Sequence, residues 1–111
     1  MTKNKVKEQT ALQKKEKSER ELALAILLEV EKGEKSHLVL RSVLEKYQYL
    51  DKQERAFLTR LTEGTIERTL ELDYIINQYS KTKVQKMKPV IRNILRMAVY
   101  QIKYMDNVPD S

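Results

Sequence analysis

Two glycines and two prolines are the only strong backbone punctuation in a chain of 111 residues. A sheet protein needs many more, because its hairpin turns rely on residues that reach positive φ or pre-set a turn. Leu, Glu, Lys, Gln and Arg dominate instead, and all of them favour helix. An all-α fold follows, and the length suits one domain with a small core.

Start and stop signals divide the chain. Residues 1–17 carry few apolar side chains and alternate charge densely. They are read as a basic, poorly ordered N-terminal extension. The domain proper spans 18–111. Ser18 and Glu21 have capping-box spacing. The helix they open, 19 to about 32, has apolar residues on more than one side, with Leu22, Ile26 and Val30 one turn apart. Gly33 ends it as a left-handed cap. Ser36 is the expected N-cap of a second helix, whose buried face is Leu40, Val43, Leu44 and Tyr47. Asp51 and Glu54 repeat the capping pattern. No proline follows until Pro89, so residues 51–80 read as one long helix, or as two if the chain breaks. Gly64 in its middle is expected to mark a close crossing or a bend. Residues 81–88 form a basic linker, and Pro89 opens a fourth helix. Its expected inward stripe is Ile91, Ile94, Leu95, Ala98, Ile102 and Met105. Val108-Pro109 imposes an extended exit.

The charge is unevenly spread. Residues 1–20 hold seven Lys/Arg against three Glu, residues 21–80 eight against eleven acids, and residues 81–111 seven against two. The chain as a whole carries +6. Basic ends around an acidic middle predict a localised positive surface if the ends meet, and such a surface attracts phosphates. Simple solubility is the competing explanation.

The residue inventory excludes much chemistry. There is no cysteine, so no disulfide, thiolate zinc site or thiol nucleophile exists. His37 is the only histidine and suits a surface position at a helix start. No glycine-rich phosphate loop is present. Glu67 and Glu71 lie at helical spacing and read as a solvated face. No catalytic or metal-binding residues are assigned, and the chain is read as a non-enzyme. The longest apolar run, 22–28, is too short to span a membrane, and the first twenty residues do not form a secretory signal. A cytoplasmic location fits. Tyr47, Tyr74, Tyr79, Tyr100 and Tyr104 can stack on bases, but at helical spacing they also suit core and rim positions.

The ordered set of motifs resembles NusB-like domains. It comprises Arg20-Glu-Leu-Ala-Leu-Ala-Ile-Leu-Leu-Glu-Val-Glu, then Asp51-Lys-Gln-Glu-Arg-Ala-Phe-Leu with Glu63-Gly64 and Leu72-Asp73-Tyr74-Ile75. Pro89-Val-Ile-Arg-Asn-Ile-Leu-Arg-Met-Ala-Val-Tyr-Gln-Ile and Tyr104-Met-Asp-Asn-Val-Pro-Asp-Ser complete it. Within that group, Asp51-Lys-Gln-Glu-Arg-Ala-Phe and Leu72-Asp-Tyr-Ile-Ile-Asn-Gln-Tyr-Ser are similar to the N-terminal domain of the RsmB (Sun/Fmu) family of bacterial 16S ribosomal RNA cytosine-C5 methyltransferases. The resemblance implies a NusB-like helical bundle that seats ribosomal RNA for a separate C-terminal catalytic domain. That domain would use S-adenosylmethionine, and no cofactor is expected in this chain. A NusB-type antitermination factor and a helical docking or dimerisation module are the alternatives. The resemblance also implies further helices after Val108-Pro109, so the bundle reads as truncated after its fourth helix. Self-association through an uncovered fourth-helix stripe is then expected. Where that resemblance carries an arginine-rich leader, this chain has Lys14-Lys15-Glu16-Lys17-Ser18-Glu19-Arg20.

The expected RNA surface has two parts that come together. One is Lys14, Lys15, Lys17 and Arg20. The other is Lys81, Lys83, Lys86, Lys88, Arg92 and Arg96. About five engaged phosphates on single-stranded RNA would give a log–log salt slope near −3.5.

Overall fold

Both capping boxes read from the sequence are formed. In the computed structural model, which describes residues 17–106, the Glu21 amide donates to Ser18 Oγ at 3.1 Å and the Ser18 amide donates to Glu21 Oε1 at 3.0 Å. The Glu54 amide donates to Asp51 Oδ1 and the Asp51 amide to Glu54 Oε1, each at 2.8 Å. Each exchange satisfies two donors that a helix start leaves open. The elements are α1 (Glu19–Glu31), α2 (Ser36–Lys46), α3 (Lys52–Glu67), α4 (Thr69–Tyr79) and α5 (Pro89–Tyr100). A 3-10 turn, Val84–Lys86, precedes α5, and a π turn, Gln101–Met105, continues it. All regular structure among the described residues is helical. The expectations for Lys14, Lys15 and the rest of the leader, and for Val108-Pro109, fall outside the described residues.

Gly33 closes α1 at φ 112°, a conformation costly for a residue with a Cβ. The Glu34 amide reaches back to Glu29 O and the Gly33 amide to Val30 O, the paired bonds of a Schellman motif. The second start is displaced by one residue. Ser36 is the first residue of α2, and Lys35 occupies the N-cap without a side-chain hydrogen bond.

The bundle is built around α1, which packs against α2, α3 and α5. Leu22, Ala23, Ile26 and Leu27 are buried on it, in one cluster with Leu40, Leu58, Leu61 and Leu72. The two-sided apolar character of α1 is the sequence form of this central place.

The stretch read as one long helix is two. The break falls at Arg68 (φ −108°, ψ 21°), four residues after Gly64. Thr69 Oγ1 donates back to Thr65 O at 2.9 Å and to Ile66 O at 3.0 Å. A threonine hydroxyl that competes for these carbonyls bends a helix. Gly64 itself is the close crossing. A Cβ built there would lie 2.0 Å from both Cζ and the hydroxyl oxygen of Tyr100, whose ring is buried against α3. Alanine is the better helix former by about 1 kcal/mol. The overlap outweighs that, so Gly64→Ala is expected to lose about 1–2 kcal/mol net. Urea melts check this. A stabilised Gly64→Ala would show that the Tyr100 ring swings aside freely, whereas the expected loss should shrink in a Tyr100→Leu background.

The inward face of α5 is not the expected one. Asn93, Met97 and Tyr100 are buried, while Ile91, Ile94 and Ile102 are 49%, 43% and 69% exposed. The helix turns toward α1 and α4 the side that carries Arg92, Asn93 and Arg96, because acidic partners wait there. Of the expected stripe, Ile91, Ile94, Ala98 and Ile102 face outward, whereas Leu95 is half-buried and Met105 packs against the core.

Candidate nucleic-acid interface

The basic linker is held as a defined loop against the end of α4. Asn77 Oδ1 accepts the Val84 amide at 2.9 Å, and Asn77 O accepts Lys83 Nζ at 3.1 Å. Ser80 Oγ donates to Thr82 O at 2.7 Å. Val84 is buried and anchors the loop. Around this anchor Lys81, Lys83, Lys86 and Lys88 are all exposed. None of the four pairs with a carboxylate among the described residues. Four ammonium groups in eight residues, uncompensated and fixed by the fold, form the strongest unpaired positive feature of the linker corner.

Arg92 and Arg96, expected to join that surface, are engaged elsewhere. Arg92 Nε and Nη2 grip both Glu31 oxygens at 2.9 and 2.6 Å, and its Nη1 donates to Met87 O at 2.6 Å. Arg96 Nε and Nη2 grip both Asp73 oxygens at 2.7 and 2.8 Å, and its Nη1 reaches Glu31 at 3.4 Å. Asn93 Nδ2 adds a bond to Glu31 at 3.1 Å. These side chains are about four-fifths buried. The cluster brings two guanidinium groups and two carboxylates together and ties α1, α4 and α5. The hydrogen bond from Arg92 holds the Glu31 carboxyl below the usual carboxylate range, against the opposing pull of burial and with help from Asn93. Planar forks already filled by carboxylates have little left for phosphate, so the two arginines brace the fold.

The described residues of the leader half, Lys17 and Arg20, do not meet the linker half. Arg20, at the start of α1, donates to Gln101 Oε1 at 2.9 Å, beyond the end of α5. Glu31, at the other end of α1, meets Arg92 at the start of α5. The two helices are therefore antiparallel. Lys17 and Arg20 sit at one end of the pair and Lys81–Lys88 at the other. The 13 residues of α1 separate them by about 20 Å. Arg20 is further occupied over the Phe57 ring, 6.0 Å from its centroid. Lys17 is exposed.

The tyrosines separate by environment. Tyr100 is buried beneath Gly64. Tyr104 donates its hydroxyl to Glu71 at 2.7 Å and lies under Arg68, 4.5 Å from ring centroid to guanidinium carbon. Tyr74 and Tyr79 are exposed on α4. Glu71, read from sequence as part of a solvated face, instead gathers Lys103, Tyr104 and Arg68 and latches the π turn onto the start of α4. The Lys103 ammonium, then the Tyr104 hydroxyl, hold its carboxyl down to about 2. Its folded pKa is depressed, so this latch contributes above the ordinary carboxylate range and fades as pH falls toward 2.

No group of three or more His, Cys, Asp or Glu able to hold a metal occurs among the described residues, and no helix there is long and apolar enough to cross a membrane.

Comparison with known proteins agrees with the bundle. The chain is 36% identical over 97 residues to a probable ribosomal RNA small subunit methyltransferase B from Bacillus subtilis, covering 86% of this chain and 21% of that protein. It is 32% identical over 95 residues to the protein of the same name from Synechocystis, covering 85% and 21%. It is 33% identical over 94 residues to the transcription antitermination protein NusB of Desulforamulus reducens, covering 83% and 65%. The chain thus spans about a fifth of the methyltransferases it matches. No solved structure matches it. The model of the NusB family matches residues 17–111, and the chain belongs to that family.

Proposed function

We propose that this domain binds ribosomal RNA through the linker corner and is the non-catalytic part of a cytosine-C5 methyltransferase. The observation that carries the RNA reading is the loop of Lys81, Lys83, Lys86 and Lys88, exposed, without an ion pair among the described residues, and pinned by Asn77 and Val84. The names of the Bacillus and Synechocystis relatives supply the class of RNA, and the fifth of their length that matches leaves room for a catalytic domain elsewhere in such a protein. That domain would take its methyl group from S-adenosylmethionine. This chain has neither a cysteine nor a glycine-rich loop with which to do so. Its part is to hold RNA by backbone charge.

With Arg92 and Arg96 occupied, four lysines remain at the corner. Titration of single-stranded ribosomal RNA fragments between 50 and 200 mM salt is expected to give a log–log slope of about −3. A slope near zero removes the RNA reading.

A NusB-type antitermination factor is the second reading, favoured by the 33% identity to the Desulforamulus protein over 65% of its length. The reading frame discriminates: a methyltransferase domain downstream in the same frame ends this option. A docking or dimerisation module draws on the exposed Ile91, Ile94 and Ile102. Sedimentation that shows a concentration-independent monomer removes the self-association form of it.

A further inference from the structure

Tyr79 is the last residue of α4 and is 88% exposed. Its ring and hydroxyl have no partner among the described residues, unlike those of Tyr104. An aromatic side chain presented this openly leaves a free π-face. What surrounds it is also specific. The chain leaves Tyr79 through Ser80, whose hydroxyl turns the next residues, and returns so that Lys83 Nζ caps Asn77 O two residues before the tyrosine. Lys81 and Lys83 follow Tyr79 by two and four residues, on a loop whose backbone is already fixed by Asn77 and Val84. A ligand meeting this corner would not have to order it first.

A flat apolar face beside two or more ammonium groups is the pairing that recognises unpaired nucleotides. A base stacks on the ring, and the phosphates on either side of it meet the cations. The interior of a duplex cannot use such a ring, because both faces of each internal base are already stacked on neighbours. We propose that Tyr79 is a base-stacking platform for the single-stranded RNA held by the linker lysines. The inference rests on the RNA reading and adds the stacking residue.

The chain contains no tryptophan, which allows a direct readout. Tyr79→Trp introduces a single indole at the corner. Its emission is expected to be quenched on titration with a single-stranded ten-nucleotide RNA, and not with the same RNA as a duplex or with inorganic polyphosphate. Affinities complete the test. Tyr79→Ala is expected to weaken single-strand binding about tenfold, within the range of one stacked base, with the salt slope unchanged. Tyr79→Phe is expected to bind as the wild type does, since stacking needs the ring and not the hydroxyl. An RNA abasic throughout should bind wild type and Tyr79→Ala equally. Thermal melts serve as the folding control, and a side chain this exposed is not expected to move them.

The proposal is overturned if Tyr79→Ala binds single strands as tightly as wild type, or if Phe is as weak as Ala. Equal quenching by duplex and single strand overturns it too. In each case the RNA reading survives so long as binding still depends on the lysines and on salt. Loss of that dependence in the wild type removes both. Burial of the indole by a protein partner, with no response to RNA, overturns the proposal in favour of a protein-facing role.

Discussion

Replacing Lys81, Lys83, Lys86 and Lys88 together by glutamine is expected to abolish most RNA affinity while leaving the fold intact. Each engaged phosphate on a single strand contributes about 0.7 to the salt slope, so the slope should fall from about −3 to near zero. At 0.1 M salt the same arithmetic gives a factor of about five per contact, and a loss of several hundredfold, roughly, for all four. The four side chains are exposed and make no ion pair among the described residues, and Lys83 gives up only one exposed hydrogen bond to Asn77 O, so helix content and melting temperature should hardly change. Calorimetric titration beside circular dichroism reads both. A variant that still binds within a few fold of wild type places the RNA elsewhere. The single substitutions should each cost a modest, similar factor, because backbone charge is read without sequence preference.

Arg96→Met is expected to do the opposite, destabilising the fold without defining an RNA contact. The guanidinium holds both Asp73 oxygens, and both side chains are mostly buried. Breaking a fully buried pair costs about 3–5 kcal/mol. The residual exposure here reduces that to about 2–3 kcal/mol, a drop in melting temperature on the order of 10–20 °C for a domain of this size. Arg96→Lys should recover little, since an ammonium cannot make the two parallel bonds. A double replacement, Arg96→Met with Asp73→Leu, should regain much of the loss because no unpaired carboxylate remains. Chemical denaturation of the set decides the matter. If Arg96→Met melts like wild type and loses RNA binding, the arginine is a ligand contact and its assignment as a brace is wrong.

What could be read from the sequence was what depends on neighbours a few residues apart. The capping boxes at Ser18 and Asp51 and the left-handed Gly33 are local devices, and all three are formed. The central place of α1 was legible from apolar residues on more than one side. The lysines of the linker were legible as a charge run, and the fold leaves them exposed and without a carboxylate partner among the described residues. Gly64 was legible as a close crossing, but not its partner Tyr100, which arrives from 36 positions later in the chain.

What was missed depends on register between distant elements. The aliphatic stripe of α5 looks like its core face because periodicity cannot say which side meets the bundle. The burial of Asn93 and Arg96 is dictated by Glu31 and Asp73, 62 and 23 positions away. One signal was available. Glu31 is an acid in the last turn of α1 and Arg92 a cation in the first turn of α5, each at the unfavourable end of its own helix dipole. Two charges misplaced in that complementary way suit each other when the helices run antiparallel. That same antiparallel register separates Lys17 from the linker, and so divides a positive surface that charge counts alone join. Glu71 was misread for the same reason. Spacing shows its neighbours on α3 and α4, and not the Lys103 and Tyr104 that come back to it.

RNA is expected to lie on the linker corner and not across the α1–α5 brace or the far end of α1. Ultraviolet crosslinking of a single-stranded ribosomal RNA fragment carrying 4-thiouridine, followed by peptide mapping, tests it most directly. Crosslinks are expected in the peptides that hold Tyr79 to Lys88. Crosslinks confined to the segment around Lys17 and Arg20, or to α5 beyond Arg92, would contradict it.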